Sequence, residues 1–283
     1  MIVFLFITSC AQTNNNNNDN KLNHISNKTI NKQKQGDVST SQQDKYVLSE
    51  ALLTKLNNAM VWVEGGSFDM GSNAPKARKR ERPAHQVSLD GFYISKFELT
   101  QDLFSAIMGW NNSYYQCANC PMNNVSWFNM LLFIERLNIA TGHKYRLPTE
   151  AEWAYAAKGG QKTKNLLFSG SNNIDTVAWY SKNSNRQSHP VGQKQPNELG
   201  LYDMTGNLWE FCQDNLNPSI YRQPRQHNPF YGDLNNSHKK AMKVLRGGGY
   251  EFSADESLVF IRDGATNNVR MADIGFRLAM SLQ

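Results

Sequence analysis

The sequence predicts an α+β fold, an irregular single domain that follows a disordered tail. Helix-type spacing of apolar residues occurs within residues 46–157. Beyond residue 160 the chain is mostly loops and short strands, rich in Gly, Asn and Ser. The motifs described below fill one stretch, residues 58–283, of roughly 225 residues, a length that suits one domain. An apolar share of 40%, with 6 Trp, 11 Tyr and 14 Phe, supplies a sizeable core.

Residues 1–10 form an apolar run that ends in Ile-Thr-Ser-Cys. This ending resembles the bacterial lipobox, in which the cysteine, here Cys10, is acylated and becomes the mature N-terminus. The alternative is a buried N-terminal strand. Nothing before Cys10 is charged, although a signal peptide has a basic first region and a longer apolar stretch. We therefore predict that the natural chain starts upstream of Met1.

Residues 11–45 are almost entirely Asn, Gln, Lys, Ser and Thr. Such a segment buries too little apolar surface to offset the entropy of ordering, so we expect a disordered tether. A flexible coil of about 35 residues spans about 30–35 Å. The sequence thus predicts a lipid-anchored protein of the bacterial cell envelope, held at a membrane by its N-terminus. Ala11, directly after the acylated cysteine, is compatible with the outer membrane.

Four helices are predicted in the first half of the domain. Leucine spacing over residues 46–57 predicts a short helix at its start. Residues 101–108 form a second, with Thr100 as its cap and Gly109 at its end. A third begins after Ser126 and carries an apolar stripe. The stripe consists of Trp127, Met130, Leu131, Ile134 and Leu137.

The fourth helix begins at a capping box, in which the side chains of Thr149 and Glu152 each bond to the other residue's backbone amide. It continues until the glycines of residues 159–160. Ahead of the helices, two alternating valines precede the glycines of residues 65–66. This pattern predicts a pair of strands around a turn.

Eight motifs follow one another in order through this region of the chain. They are Val61–Ser72, Glu81–Val87, Gly91–Thr100, Pro121–Trp127, Arg146–Trp153, Gly200–Glu210, Arg246–Ser257 and Ile274–Ala279. The set resembles the formylglycine-generating enzyme, or sulfatase-modifying factor, family over about four-fifths of the chain. Any one motif is weak, whereas the ordered set is specific. The resemblance implies the variant of the C-type-lectin fold that this family has.

The same resemblance implies that the family's known chemistry is missing. Copper-dependent members carry a cysteine pair where this chain has Phe252 and Ser257. A thiolate binds copper(I), and a benzyl ring and a hydroxyl do not bind it comparably. Sulfoxide-synthase relatives bind iron through a histidine-bearing helical domain, which does not fit in residues 1–57. We therefore expect no copper and no catalytic residues, with an oxidoreductase that uses an atypical metal site as the alternative.

Three interpretations are open for the pair formed by Cys117 and Cys120. A local disulfide is favoured, because an exported protein meets an oxidising compartment. A thioredoxin-like redox pair would need a helix N-terminus in a β-α-β unit, and half of a zinc site would need two more ligands. Cys212 lies in the apolar flank of a motif, so we expect a buried free thiol.

The resemblance also implies a structural calcium site in the Gly200–Glu210 motif. Carried over by position, the side chains of Asp203 and Glu210 and the backbone carbonyls of Gly206 and Leu208 would be the ligands. Calcium accepts mixed shells of carboxylates and carbonyls. In the alternative interpretation, the two carboxylates only accept N–H bonds from the loop.

Other motif residues are expected to be structural. Buried arginine needs carboxylate or carbonyl partners, for which Asp273 and Glu210 are candidates, and motif tryptophans belong in the core. These residues are Arg246, Arg262, Arg277, Trp62, Trp127, Trp153 and Trp209.

The resemblance places the family's substrate groove, and the variable contacts of its lectin-like members, around the missing cysteines. The candidate ligand-binding residues here are aromatic or short and polar. They are Tyr250, Phe252, Asp255, Ser257, Phe260, Trp179, Tyr180 and Asn183. Such mixtures are typical of binding surfaces, and the alternative is that half of these residues are core or incidental surface.

The sequence therefore predicts an exported, lipid-anchored, non-catalytic domain that binds a protein, peptide or glycan partner. Nucleic acid is not expected as a partner. The net charge of +6 is spread along the chain, and its densest basic run, residues 76–82, has no interleaved aromatic residues.

Overall fold

The computed structural model describes residues 46–222, 224–232 and 241–282, which all belong to one compact unit. The predicted signal segment 1–10, with Cys10, and the predicted tether 11–45 lie outside the described residues. Helices and strands are joined by long loops, in agreement with the predicted α+β class. The helices are α1 (Glu50–Ala59), α2 (Gln101–Met108), α3 (Trp127–Thr141), α4 (Glu150–Ala157) and α5 (Ile174–Val177). The strands are β1 (Met60–Val63), β2 (Gly66–Met70), β3 (His85–Leu89), β4 (Phe92–Ser95), β5 (Tyr145–Arg146), β6 (Trp209–Asn215), β7 (Met242–Arg246), β8 (Arg262–Thr266), β9 (Ile274–Gly275) and β10 (Ala279–Ser281).

The described strands form three sheets. Their strand orders are β1-β4-β10-β5, β2-β3 and β8-β7-β6-β9, and β6 and β9 pair in parallel. The last strand, β10, pairs with both β4 and β5, so that Ala279 lies opposite Ile94 on one side and Arg146 on the other. The end of the chain is therefore an inner strand of the first sheet, which ties the C-terminal motifs to the N-terminal ones.

The predicted strand pair around residues 65–66 is wrong in its partners. β1 pairs with β4, with Val61 opposite Ile94, and β2 pairs with β3. A Cβ on Gly65 would meet the Leu89 carbonyl oxygen and the backbone that follows it. Glycine thus lets the chain pass close to another segment as it crosses between two sheets, and no hairpin forms.

The start of α1 lies later than the sequence pattern predicts. The helix begins at Glu50, because the Ser49 hydroxyl accepts the Leu52 N–H at 3.3 Å and so caps the first turn. It runs to Ala59 and leads directly into β1. The predicted bounds of residues 46–57 are therefore shifted toward the C-terminus.

The bounds of α2 are as predicted, and Gly109 ends it with a φ of +77°. The predicted cap is wrong, since the Thr100 hydroxyl donates to the Asp102 carboxylate instead of accepting from the helix. Asp102 Oδ1 accepts the Leu103 N–H at 2.7 Å. A carboxylate in the first turn therefore takes the role expected of the threonine.

The helices α3 and α4 begin at the predicted caps, Ser126 and the Thr149–Glu152 capping box. Leu131, a member of the predicted α3 stripe, is half-buried, whereas Phe133, which lies outside the predicted stripe, is completely buried. The Phe133 ring stacks on Phe104 with centroids 5.3 Å apart. Contact with α2 therefore decides which side of α3 faces the core.

The core packs the apolar residues of α4 between β1 to β4 on one side and β6 and β7 on the other. Three motif tryptophans are buried as predicted, namely Trp127, Trp153 and Trp209. Trp62 is half-buried against Tyr93, with ring centroids 5.0 Å apart. No helix in the described part of the chain is long and apolar enough to cross a membrane.

A buried charge cluster, here called the Glu150 cluster, joins the N-terminus of α4 to β7 and β8. Arg262 donates to both oxygens of Glu150 at 2.7 and 2.6 Å, and the Tyr221 hydroxyl donates to the same carboxylate at 2.9 Å. Arg246 lies 3.9 Å from Glu150 and donates to the carbonyl oxygens of residues 259–261. The motif arginines are thus structural, and their carboxylate partner comes from a different motif.

Candidate functional site

The C-terminal segment, residues 246–257, begins where β7 ends and turns back at three glycines. Gly247 and Gly248 have φ values of +98° and +78°, a region that L-residues rarely adopt. A Cβ on Gly248 would clash with the Ser257 hydroxyl. Glycine is therefore required at this turn, which packs the following residues against the start of β6.

Phe252 and Ser257 stand where copper-dependent relatives would have cysteines. The half-buried Phe252 ring meets the Trp209 indole edge-on, with centroids 5.4 Å apart. Ser257 is 1% exposed, and its hydroxyl donates to the Ser253 carbonyl oxygen at 3.1 Å. Cys212, the free cysteine of the described residues, is buried, and burial raises the pKa of its thiol well above the usual value. These side chains do not fit copper(I).

Four of the eight predicted ligand-binding side chains are buried. They are Tyr180, Tyr250, Ser257 and Phe260. The Tyr180 hydroxyl, for example, donates to the Asp175 carboxylate at 2.9 Å. Because the glycine turn folds the C-terminal segment onto the core, these four side chains lie beneath the surface and pack against it from inside the domain. Their predicted role as direct contacts is corrected accordingly.

Two of the remaining four side chains have partners within the domain. Asp255 pairs with Lys76 at 2.6 Å, so the basic run covers part of the C-terminal segment. The Asn183 side chain accepts from the Tyr180 amide at 2.9 Å and donates to the Ala178 carbonyl oxygen at 3.0 Å. Asn183 thus stabilises a turn, and Asp255 stays exposed in its ion pair.

The last two, Phe252 and Trp179, are half-buried. Trp179 stacks on His189 with centroids 3.8 Å apart. The Lys194 ammonium lies 4.1 Å from the centre of the Trp179 ring. The imidazole and the ammonium together therefore cover the Trp179 ring, and Phe252 is the more available of the two rings.

The structure adds two tyrosines that the sequence analysis missed. Tyr114 is 69% exposed and Tyr115 is 38% exposed, and their rings meet edge-on at 4.9 Å. Their loop is held by a disulfide between Cys117 and Cys120. The Tyr114 amide also donates to Asn123 Oδ1 at 3.0 Å. Adjacent tyrosines among Asn and Ser are typical of binding loops, and this signal was present in the sequence.

This loop approaches the C-terminal segment and the turn before β9. The Asn124 amide donates to the Met271 carbonyl oxygen at 2.9 Å, and the Trp209 amide donates to the Asp273 carbonyl oxygen at 2.8 Å. Burial raises the pKa of Tyr250 to about 12, and nearby charged and phenolic groups contribute to the shift. Those groups are Glu251, Asp273, Tyr115 and Tyr114. Tyr114, Tyr115 and Glu251 are the exposed members of this group, and we name them the tyrosine patch.

A second buried charge cluster, the Arg277 cluster, lies at the predicted calcium motif. It consists of Glu98, Asp203, Glu210 and Arg277, none more than 2% exposed. Arg277 donates to both oxygens of Glu210 at 2.7 Å, which confirms one of the two candidate carboxylate partners of the motif arginines. Glu210 also accepts the Trp153 indole N–H at 2.8 Å. Its carboxylate is thereby fully engaged.

The other two carboxylates of this cluster are less well compensated. Glu98 accepts the Asn207 side-chain amide at 2.6 Å and the Leu208 amide at 2.9 Å. Asp203 Oδ2 accepts the Gly192 amide at 2.7 Å, whereas its Oδ1 is buried without a partner. Burial, together with repulsion from Glu210, raises the pKa of Asp203 to about 6. Burial and the neighbouring carboxylates raise the pKa of Glu98 well above its usual range.

The predicted calcium ligands fit the ion only in part. Asp203 Oδ1 is a buried oxygen that a cation would satisfy. Glu210, in contrast, is already paired with Arg277. Within the described ranges, no three side chains of the His, Cys, Asp or Glu types are grouped so that they could hold a metal ion. Calcium therefore stays a prediction, with Asp203 as its best-supported ligand.

Comparison with known proteins gives consistent results. Residues 47–282 match the model of the family described as sulfatase-modifying factor enzyme 1-like domain. Chaperone protein LppX of Paenibacillus barcinonensis is 34% identical over 56% of this chain and 72% of its own length. Formylglycine-generating enzyme of Streptomyces coelicolor is 31% identical over 57% of this chain and 52% of its own. Inactive C-alpha-formylglycine-generating enzyme 2 of Mus musculus is 26% identical over 79% of this chain and 86% of its own length.

Some similar proteins are much longer than the matched region. The chain spans 38% of the length of serine/threonine-protein kinase pkn1 of Chlamydia pneumoniae, to which it is 26% identical over 79% of its own length. Among solved structures, Treponema denticola variable protein 1 has a TM-score of 0.71 at 29% identity, covering 79% of this chain and 95% of that one. PvdO from Pseudomonas aeruginosa has a TM-score of 0.69 at 24% identity, and the match covers 79% of this chain and 94% of that one.

Proposed function

The chain belongs to the sulfatase-modifying factor family, as its motifs predicted, and from this premise we propose a non-catalytic role in which it binds a partner. One observation carries the proposal. At the two positions where copper-dependent members have cysteines, this chain has a ring packed on Trp209 and a buried hydroxyl bonded to a carbonyl. Neither Phe252 nor Ser257 can supply a thiolate for redox chemistry.

Two kinds of observation support recognition as the function. Similar proteins include one named as an inactive enzyme and one named as a chaperone. The surface around the C-terminal segment also presents exposed aromatic rings on a loop that is held by a disulfide. Rigid aromatic contacts suit a binding surface, because little side-chain entropy is lost when they engage a partner. The partner is a protein, peptide or glycan.

We place the protein in the bacterial cell envelope, attached to the membrane by an acylated Cys10. The apolar run before Cys10 and the polar tail after it support this location. The disulfide between Cys117 and Cys120 supports it as well, since disulfides persist in oxidising compartments. Structural calcium, bound through Asp203, belongs to the same proposal.

The first test is a redox assay on the purified full-length chain. The protein is incubated with copper(I), dioxygen and a cysteine-containing peptide, and its metal content is measured. We expect no turnover and no stoichiometric copper. A double variant, Phe252→Cys with Ser257→Cys, provides a matched comparison that restores both sulfur atoms. Turnover by the unmodified chain would establish the alternative function, a metal-dependent oxidoreductase with an atypical site.

The second test identifies the surface that binds. The chain and a Phe252→Ala variant are crosslinked in envelope extracts, and the recovered partners are compared by mass spectrometry. Phe252 is half-buried against Trp209, so thermal unfolding of the variant is compared with that of the unmodified chain to establish that it is folded. We expect the variant to lose the partner, and identical recovery from both proteins would move the binding surface elsewhere.

A further inference from the structure

A cleft with a volume of about 350 Å³ lies between α1, α2 and residues 95–100 at the end of β4. Its size falls within the range of about 300–1,000 Å³ that is typical of small-molecule sites. Apolar side chains from each of these elements line it, together with one from the last motif. They are Leu56, Ala59, Phe97, Leu99, Leu103 and Leu278. A hydrocarbon group that enters this cleft would therefore leave water for an apolar surface.

Most polar side chains of the lining already have partners inside the domain. The Lys55 ammonium donates to Asp102 at 2.6 Å and to Asn119 at 2.9 Å, so its charge is compensated. The Ser95 hydroxyl donates to the Phe97 carbonyl oxygen at 2.6 Å. The other engaged side chains are those of Glu98 and Thr100. These groups fix the shape of the cleft and do not require a ligand.

Two polar side chains of the lining are not engaged in this way. Asn58 is exposed and Lys96 is half-buried, and neither side chain has a hydrogen bond or an ion pair in the part of the chain that the structure describes. Each supplies N–H donors, and the lysine carries a positive charge without a counter-charge. The polar end of a ligand in this apolar cleft is therefore expected to be an anion that accepts hydrogen bonds.

The backbone along the cleft is also engaged. The carbonyl oxygens of Lys96 and Leu99 accept the Tyr202 amide at 2.9 Å and the Met122 amide at 2.7 Å. The Lys96 amide donates to the Ala59 carbonyl oxygen at 2.6 Å. A peptide would bring N–H and C=O groups that each need a partner on leaving water, whereas a hydrocarbon chain needs none. The cleft is thus better suited to an aliphatic chain than to a peptide.

We propose that this cleft binds a free fatty acid, with its hydrocarbon chain among the leucines and its carboxylate at Lys96 and Asn58. The inference goes beyond the proposed function, because the cleft shares no residue with the C-terminal segment or the tyrosine patch. Each methylene that leaves water favours binding, and the carboxylate gains a charge-assisted hydrogen bond from the ammonium. A cationic amphiphile is disfavoured, since its head group would be repelled by Lys96.

The first measurement compares straight-chain ligands on the purified full-length chain. Isothermal titration calorimetry is carried out with decanoate, octanoate and decanol at concentrations below micelle formation. Decanoate should occupy one site per chain and bind about tenfold more tightly than decanol, which has the same chain and no charge. Octanoate, two methylenes shorter, should bind roughly fifteenfold more weakly than decanoate. Equal affinities of decanoate and decanol, several sites per chain or no measurable binding would each overturn the proposal.

The role of the ammonium is tested by Lys96→Met, which removes the charge and keeps a long side chain. Its affinity for decanoate should fall about tenfold, while its affinity for decanol should stay the same. Lys144→Met is the matched control, since Lys144 is exposed and has no ion pair within the described ranges. An equal loss of decanoate affinity in both variants would contradict the assignment of the carboxylate to Lys96.

The position of the hydrocarbon chain is tested by Ala59→Leu, which adds three carbons to the wall of the cleft. Its affinity for decanoate should fall about tenfold or more, because the larger side chain takes the space of the ligand. Ala51→Leu makes the same change at an exposed position of α1 and should bind decanoate like the unmodified chain. Thermal unfolding establishes that each variant is folded, and Lys96→Met keeps the test decisive if Ala59→Leu is unstable. Equal decanoate affinities of the two alanine variants would place the ligand outside the cleft and overturn the proposal.

This proposal and the proposed function fail in distinguishable ways. Phe252→Ala should bind decanoate like the unmodified chain, and Lys96→Met should recover the same crosslinked partners. Absence of decanoate binding would therefore overturn the fatty-acid site and leave recognition of the partner standing.

Discussion

The two buried charge clusters use the same residue types and have opposite electrostatic character. In the Glu150 cluster, burial alone would raise the pKa of Glu150, but Arg262 and Arg246 outweigh it and lower the pKa. In the Arg277 cluster, three carboxylates share one guanidinium, and the pKa values of Asp203 and Glu98 are raised. The difference shows that the local balance of charge, and not burial itself, decides whether a buried carboxylate stays ionised.

This balance separates a structural cluster from one that can respond to its surroundings. The Glu150 cluster ties α4 to two strands with every carboxylate oxygen of Glu150 bonded. The Arg277 cluster has an unpartnered oxygen on Asp203, which a proton or a cation would satisfy. Stability that depends on calcium should therefore come from the second cluster. Stability that depends on pH should come from the second cluster and from buried Asp214, which accepts the Glu150 amide and whose pKa burial raises to about 7.

The largest expected effect on stability comes from disrupting the Glu150 cluster. Glu150→Gln leaves two buried arginines without their carboxylate, so we expect the free energy of unfolding to fall by about 3–5 kcal/mol. Urea denaturation followed by circular dichroism measures the change. The exposed Glu135→Gln variant is the control, and a loss below about 1 kcal/mol for Glu150→Gln would contradict the structural role.

In the Arg277 cluster, removing a carboxylate should stabilise the fold, which is opposite to the effect expected in the Glu150 cluster. Because the pKa of folded Asp203 is about 6, above its ordinary value of 3.8, its ionisation destabilises the fold. Its contribution to stability is fully present below about pH 4 and is lost as the pH rises through about 6. Asp203→Asn should therefore gain about 3 kcal/mol relative to the unmodified chain between pH 4 and pH 8 in calcium-free buffer. Equal pH profiles of the two proteins would contradict this assignment.

Calcium gives a second measurement that distinguishes the Arg277 cluster from the Glu150 cluster. If the ion binds through Asp203, a concentration a hundredfold above its Kd raises the free energy of unfolding by about 2.7 kcal/mol. The stabilisation should disappear in Asp203→Asn and persist in Glu150→Gln, which alters only the balanced cluster. Calorimetric melts with calcium and with EDTA measure it, and unchanged melting temperatures at neutral pH would remove calcium from the proposal.

The smallest effect is expected at the surface. Lys76 and Asp255 pair at 2.6 Å, with 64% and 63% of their side chains exposed. Lys76→Ala should change the free energy of unfolding by less than about 0.5 kcal/mol, since water screens the pair. A larger loss would mean that the basic run clamps the C-terminal segment.

Sequence patterns predicted the features that depend on near neighbours in the chain. The ends of α2 at Gly109, the cap of α3 at Ser126 and the capping box of α4 all lie within four residues of the groups they bond. The predicted strand pair around residues 65–66 was wrong, because β1 pairs with β4. Strand pairing is a long-range choice that local turn signals do not decide.

In the candidate site too, the sequence predicted features of single motifs and missed contacts between distant residues. The motifs identified Phe252 and Ser257. The sequence also named Glu210 as a candidate partner of the motif arginines, and Arg277 confirms it. The partners Glu98 and Glu150 were missed, as was the approach of Tyr114 to the C-terminal segment. Each of these contacts joins residues from different motifs that only the folded chain brings together.

The amino-acid sequence by itself determined the family, the absence of the cysteine pair, the end of α2 and the caps of α3 and α4, since these depend on residue identity and local hydrogen bonding. The tertiary structure decided which predicted ligand residues are buried, which carboxylates share an arginine and which loops form the tyrosine patch. The physical reason is that burial and electrostatic balance depend on long-range packing, whereas caps, turns and the presence of a thiol are set within a few residues.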